Sequence, residues 1–309
     1  MKLLSIVTAC YNESENIEPL IARVREVLAS LPQYDYEIIA IDNASTDGTQ
    51  DILRRLAADD TRLKVILNAR NFGYIRSPYH GFLQASGDAV ICMVSDFQDP
   101  PDMIPRLVEQ WERGYKAVVG VKNRSEESKV IFFLRTCYYR LLQRLAEIET
   151  IENFTGFGLY DRAIVAYCRE LKDPYPYFRG IISEIGLPTT KILFVQPARR
   201  RGLTKGNFYK LYDVAMLGVT NHTKVPLRCA TMTGFVLAFL SLLAGFVYLV
   251  YKLLFWDWFT VGTAPVVIGL FFFSSVQLLF IGILGEYVGA IQTQILKRPL
   301  VVERERINF

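Results

Sequence analysis

The chain has 309 residues, 51% of them apolar and 21% charged, with a mean hydropathy of +0.20. That is too apolar for a wholly water-facing protein and too charged for a wholly embedded one, so a two-part chain is implied. The formal net charge is only +4, and no nucleic-acid partner is expected. The five cysteines (Cys10, Cys92, Cys137, Cys168 and Cys229) lack CxxC or CxxH spacing, so neither a zinc site nor a disulfide framework is expected.

The first half alternates β-rich runs with helical patterns. "LLSIVTA" opens the chain with no secretory leader expected, and an amphipathic stretch from Asn16 to Leu31 follows. Next come "YEIIAID", a helix from Thr49 to Ala58, "LKVILN", a helix through "PYHGFLQAS", the run "AVICMVSD", a helix from Pro105 to Arg113, and "KAVVGV". Continuous rather than alternating apolar strands, separated by helices, predict a mostly parallel α/β sheet covered on both faces. Ligands of such sheets sit at the carboxyl ends of the strands. Polar clusters fall there: Tyr11, Asn12 and Glu13, then Asp42 and Asn43, then Asn68 to Asn71, then Asp96.

The last third differs. Uncharged segments lie between Arg228 and Lys252 and between Asp257 and Glu286, each exceeding the roughly 20 residues that cross a bilayer. Lys224 and Arg228 precede the first and Lys297 and Arg298 follow the second, so both ends are expected on the cytoplasmic side. Trp256, Trp258 and Phe259 mark the far interface. From Phe208 to Val219 apolar residues recur at helical spacing, predicting an amphipathic helix on the bilayer surface. The stretch from Lys129 to Leu145 reads either as a core helix with a basic face or as a membrane-docked helix.

Several residues are candidates for chemistry. Asp96 and Gln98, on the loop after the fourth strand, offer the oxygen ligands that Mg²⁺ favours. Asp99 and Asp102 flank two prolines and read more simply as the start of the next helix. Asp47, with Gly48 and Thr49, makes a turn and caps a helix, leaving Asp42 as the better ligand candidate. Arg70 and Asn71 precede a permissive Gly73. Arg199, Arg200, Arg201 and Lys205 serve either as a lipid anchor or as a phosphate clamp. His80 and His222 are isolated and are given no catalytic role.

"TACYNESENI", "IDNASTDGT", "RNFGY", "SDFQDPP", "NFTGFGLYDR" and "RRRGLTK", followed by two spans, together resemble the family 2 polyisoprenyl-phosphate glycosyltransferases, which include dolichol-phosphate mannose synthases and bactoprenol glucosyltransferases. The resemblance covers the whole chain in order. It implies a GT-A domain over residues 1–206, a juxtamembrane helix over 207–228, and two transmembrane helices with a short cytoplasmic tail over 229–309. It also implies a nucleotide-sugar donor, Mg²⁺ or Mn²⁺, a polyisoprenyl phosphate acceptor in the bilayer of a bacterial inner membrane, and a homo-tetramer in some relatives. Carried over by position, Tyr11, Glu13 and Asp42 surround the nucleotide with Arg70 and Asn71 nearby. Asp96 and Gln98 match metal positions, and Arg199, Thr204 and Lys205 match a loop closing over the phosphates. Lys122 falls near the acceptor phosphate and Arg135 lies in a helix segment that shares that work. Glu184 stands where relatives are often aromatic, as a hypothetical sugar contact.

Three departures stand against the pattern. Val94-Ser95-Asp96 replaces DAD, Asn43 replaces a second acid, and Gly156 replaces an acid often proposed as base. The expected function is inverting transfer of one sugar, UDP-linked by preference. A non-catalytic scaffold binding nucleotide-sugar or lipid is the alternative, and two spans leave little room for a processive polymer channel.

Overall fold

In the computed structural model, the residues described are 1–122, 151, 154–197, 216–220, 223–254 and 263–309. The stretch 129–145 with Arg135, the basic residues 199–205, most of the juxtamembrane helix and Trp256, Trp258 and Phe259 lie outside them.

The elements run β1 (Lys2–Cys10), α1 (Ile17–Ala29), β2 (Tyr34–Asp42), α2 (Thr49–Asp59), β3 (Leu63–Asn68), α3 (Gly73–Gln84) and β4 (Ala89–Val94). A short 3₁₀ turn (Pro101–Met103) leads into α4 (Ile104–Glu112) and β5 (Ala117–Lys122). Then come β6 (Phe154–Asp161), α5 (Arg162–Leu171), α6 (Phe178–Glu184), β7 (Thr189–Phe194), α7 (Val225–Leu254), α8 (Thr263–Leu296) and β8 (Glu303–Ile307). The sheet order is β7-β5-β6-β4-β1-β2-β3-β8. The β1–β2, β1–β4, β2–β3 and β5–β7 pairs are parallel, as the apolar runs predict. The pairs made by β6 and β8 are antiparallel.

The runs are continuously apolar because both faces are covered. Leu4, Ile6, Ile38, Ala40, Val65 and Leu67 join one buried cluster that includes α1, α2 and α4. Val7, Ile39, Ile41 and Ile66 join another with residues of α3, α5 and α6. Asp161 starts α5: its carboxylate accepts from Ala163 N at 3.0 Å, Trp111 Nε1 at 2.8 Å and Lys116 Nζ at 2.9 Å. Those contacts hold its carboxyl below the usual range despite burial.

Both α7 and α8 are long and apolar enough to cross a membrane, with candidate spans at Val225–Val247 and Gly269–Leu296. The second helix therefore runs about ten residues past Glu286, where the expected span ended, so Glu286 lies within it rather than at its edge. Tyr287 Oη donates to Thr223 O at 2.8 Å, fastening α8 to the entrance of α7.

The tail is not a free appendage of the spans. Its last residues form β8, an antiparallel edge strand on β3 with Val65 opposite Ile307 and Leu67 opposite Glu305. Arg54 Nη2 meets Glu305 Oε2 at 2.8 Å, His80 Nε2 lies 2.6 Å from Glu303 Oε1, and Asn308 Nδ2 donates to Ala57 O and Leu63 O. His80 thus holds the tail.

Candidate active site

The loops after β1, β2 and β3 form one hydrogen-bonded platform. Asn12 N donates to Ser45 Oγ at 2.8 Å and Thr46 N to Asn12 Oδ1 at 2.8 Å. Glu13 N donates to Thr49 Oγ1 at 3.0 Å and Ser14 N to Asp47 Oδ2 at 3.0 Å. Asp47 also accepts from Thr49, and these bonds overcome partial burial to lower its carboxyl to about 2. The turn assignment for Asp47 and Gly48 therefore fits; Gly48 takes φ 91°, where glycine carries no Cβ penalty.

Asn43 is a joint between two loops, a role that its place in the sequence does not show. It is 6% exposed, and its Oδ1 accepts from Phe72 N at 2.8 Å, which fixes the orientation of the amide. Its Nδ2 then donates to Asn71 Oδ1 at 2.9 Å and Gly73 O at 3.1 Å. An acid here would set a carboxylate against two oxygens and lose both donations. Asn43→Asp is expected to lower stability by about 1–3 kcal/mol; an unchanged melting temperature for the variant would show that the joint carries no weight.

The predicted ligand residues occupy this edge in different ways. Asp42 is fully buried, and its Oδ1 accepts from Ser45 N at 2.9 Å and Gln50 Nε2 at 2.6 Å. It shapes the loop rather than opening onto it. Glu13 is buried, accepting from Asn16 Nδ2 at 2.6 Å, whereas Tyr11 is half-buried. Arg70 is exposed, its guanidinium 4.1 Å from the Phe72 ring centroid, and Asn71 is held by Asn43. Lys122 ends β5 opposite Phe194. Glu184 is exposed at the end of α6. Arg135, Arg199, Thr204 and Lys205 lie outside the described residues.

After β4 the two neighbouring acids separate. Asp96 is half-buried, and Gln98 N donates to its Oδ1 at 3.2 Å across Phe97, whose φ is 63°. Asn12 (φ 55°) and Ala44 (φ 62°) are left-handed at the same edge. Such backbone gathers where a site over-determines it. Asp99 is not the helix cap that its prolines imply. It is 2% exposed, its Oδ2 accepts from Val94 N at 3.0 Å, and the 3₁₀ turn has no side-chain cap. The strand end leaves the Val94 amide without a ladder partner, and Asp99 turns inward to supply one. Asp102, by contrast, is on the surface, paired with Arg23.

Burial drives the Asp99 carboxyl up to about 7; the Val94 bond and Lys122 oppose the rise and Asp96 adds to it. A folded pKa above the unfolded one contributes stability at acid pH that is lost as pH rises through about 7. In EDTA, raising the pH from about 5 to about 8 should cost the wild type roughly 2–3 kcal/mol more than Asp99→Asn. Parallel melting curves for the two proteins would contradict this.

No group of three or more His, Cys, Asp or Glu able to hold a metal occurs among the described residues. One half-exposed carboxylate still fits a hard cation that takes most of its ligands from substrate and water. At the start of β6, Gly156 has φ 101°, which disfavours an L-residue, and a Cβ on Gly158 would lie 2.5 Å from Val118 O. The backbone at 156 and 158 thus suits glycine.

The family model described as glycosyl transferase family 2 matches residues 5–168. The chain belongs to that family. An uncharacterised glycosyltransferase of Synechocystis is 34% identical over 96% of this chain and 93% of its own length. A bactoprenol glucosyl transferase derived from an SfII prophage of Shigella flexneri is 32% identical over 96% of each chain. The solved glucosyl-3-phosphoglycerate synthase of Mycobacterium tuberculosis, in complex with Mn²⁺, uridine-diphosphate-glucose and phosphoglyceric acid, has a TM-score of 0.49 and 19% identity, covering 71% of this chain and 78% of that one. This family 2 glycosyltransferase thus consists of an α/β Rossmann-like GT-A domain followed by two span-length apolar helices, and it is a sugar transferase acting near a membrane.

Proposed function

We propose that the enzyme moves a single hexose-type sugar, with inversion, from a nucleotide-sugar, UDP-linked by preference, to a polyisoprenyl phosphate at the cytoplasmic face of a bacterial inner membrane. The lipid-linked sugar then supplies cell-envelope glycan modification. The observation that carries this reading is the position of Asp96: a half-exposed carboxylate at the carboxyl edge of the sheet, on a chain that enters two span-length helices and returns as β8. A return to the same sheet supports a topology with both ends of the helix pair on the catalytic side. The naming of several relatives as bactoprenol glucosyl transferases supports the acceptor class.

The chemistry needs little from side-chain bases. A phosphate monoester has a second pKa of about 6, so the acceptor is already anionic at neutral pH. Its oxygen attacks the anomeric carbon, the bond from that carbon to the diphosphate breaks, and the electron pair leaves with the nucleoside diphosphate. Gly156 in place of an acid is compatible with this. Asp96 and Gln98 would hold Mg²⁺ or Mn²⁺, which when bound offsets the leaving charge. Tyr11, Glu13, Arg70 and Asn71 are assigned to the donor, with Asp42 shaping their loop. Lys122, Arg135, Arg199, Thr204 and Lys205 are assigned to the phosphates, since positioning and charge stabilisation supply most of the rate. The assigned units are the catalytic domain to residue 206, the juxtamembrane helix to 228, and the two spans with the tail beyond.

Val94, Asn43 and Gly156 favour the rival reading, a scaffold that binds donor or lipid without turnover. Purified protein with polyprenyl phosphate and a panel of UDP-, GDP- and dTDP-sugars, with Mg²⁺ or Mn²⁺ against EDTA, separates the two. A glycolipid product is expected; nucleotide binding with no product across the panel would leave only the scaffold. Glu184→Gln is expected to shift preference among donor sugars, and unchanged preference and turnover would remove Glu184 from the sugar site.

A further inference from the structure

Cationic side chains gather where α8 leaves its apolar stretch, with Arg70 and Arg298 close enough to Arg76 to repel it. Lys297 and Arg298 follow directly on the span that ends at Leu296, Arg70 follows β3, and Arg76 lies in the first turn of α3. The Arg70 and Arg76 guanidiniums stand 4.1 and 5.4 Å from the centroid of one ring, Phe72. Arg76 Nη2 donates to Pro299 O and Arg70 Nη1 to Asn71 O at 3.1 Å. Both acceptors are backbone carbonyls, so neither charge is neutralised. Among the described residues no carboxylate pairs with any of the four. Arg76 Nε is buried with no hydrogen-bond partner, a costly state for a donor unless a ligand completes it. Burial, with Arg70 and Arg298 adding repulsion, also holds the Arg76 guanidinium below its ordinary value.

We propose that Arg76 and Arg298 form a binding site for the phosphate of an anionic bilayer lipid, seating this corner of the catalytic domain on the membrane surface. Arginine forks suit phosphate oxygens, and juxtamembrane cations are attracted to anionic headgroups. The sheet order sets this phosphate apart from the reacting ones. Arg70 follows β3 and Asp96 follows β4, three strand spacings apart in the order β4-β1-β2-β3, or about 14 Å at the usual spacing. A lipid phosphate attacking beside Asp96 does not reach this corner, and the end of a nucleotide-sugar that extends this way is its base. Val302 O accepts from Ala69 N at 2.9 Å, so the linker that leaves the membrane is pinned beside the cluster.

The test uses the full-length protein in neutral detergent and follows thermal unfolding, with no sugar transfer involved, so its outcome is independent of the proposed reaction. Probes are dioctanoyl phosphatidylglycerol, dioctanoyl phosphatidylcholine, inorganic phosphate and UDP. At about ten times its Kd the phosphatidylglycerol should raise Tm by about 3–5 °C, with no comparable rise from phosphatidylcholine. Arg76→Gln and Arg298→Gln should each abolish the rise. Arg298 is exposed, so its variant keeps the test valid if Arg76→Gln misfolds. Native mass spectrometry should show one fewer retained anionic lipid in the variants. Equal shifts in wild type and variants, an equal shift with phosphatidylcholine or inorganic phosphate, or displacement of the lipid by UDP would each overturn the proposal.

Discussion

Replacing Asp96 by alanine is expected to reduce sugar transfer by about 10²–10³-fold, the range seen when one group that stabilises developing charge is removed. The reason is local. The neighbouring Asp99 is buried and occupied by the Val94 amide, and Val94 itself is apolar. Among the described residues no group of acids stands by to substitute. Turnover in the variant should no longer respond to added Mg²⁺ or Mn²⁺, while its thermal unfolding stays close to wild type because the β4 strand end remains held by Asp99. A variant with normal, metal-stimulated transfer would sink the assignment of Asp96. Loss of activity with gross loss of stability would make Asp96 a structural residue instead.

Removing residues 301–309 is expected to lower stability by about 3–5 kcal/mol, or roughly 10 °C in Tm. The deletion strips β3 of its ladder partner, exposes the surface under the buried Val301, and removes the Asn308 bonds to Ala57 O and Leu63 O. The Arg54–Glu305 pair contributes less, since both side chains are more than a third exposed; Glu305→Gln alone should cost under about 1 kcal/mol. The open β3 edge should also promote aggregation. Nucleotide binding should weaken as well, because Arg304 donates to Gln50, which in turn donates to Asp42 beneath the loop after β2. A truncated protein that melts and binds nucleotide like the full chain would show that β8 is dispensable.

Much of the catalytic domain is legible from short windows. The strands β1 to β5 announce themselves as runs such as "YEIIAID", because residues on both pleat faces are buried and no polar alternation is needed. The two spans are legible because apolar length is a property of the segment itself. The strand β8 is not. "ERERI" has no apolar period, and its charges make sense only against Arg54 and His80, more than two hundred residues earlier. The strand β6 is also hidden: an antiparallel strand lying between β4 and β5 in a largely parallel sheet has no local mark.

The acids of "SDFQDPP" divide the same way. An aspartate before two prolines matches a helix start, and sequence spacing offers no reason to turn it inward. The unpaired Val94 amide at the strand end supplies that reason. Asn43 looks like a lost acid in a motif, yet in place it is the donor and acceptor that joins two loops. The sequence by itself determined the order of elements from β1 to β5, the polar strand ends and the two apolar helices, since each depends on neighbours within a turn or a pleat. Only the tertiary structure decided which carboxylate stays half-exposed, which is buried, and where the tail returns, because those outcomes depend on hydrogen-bond partners that packing brings together from distant parts of the chain.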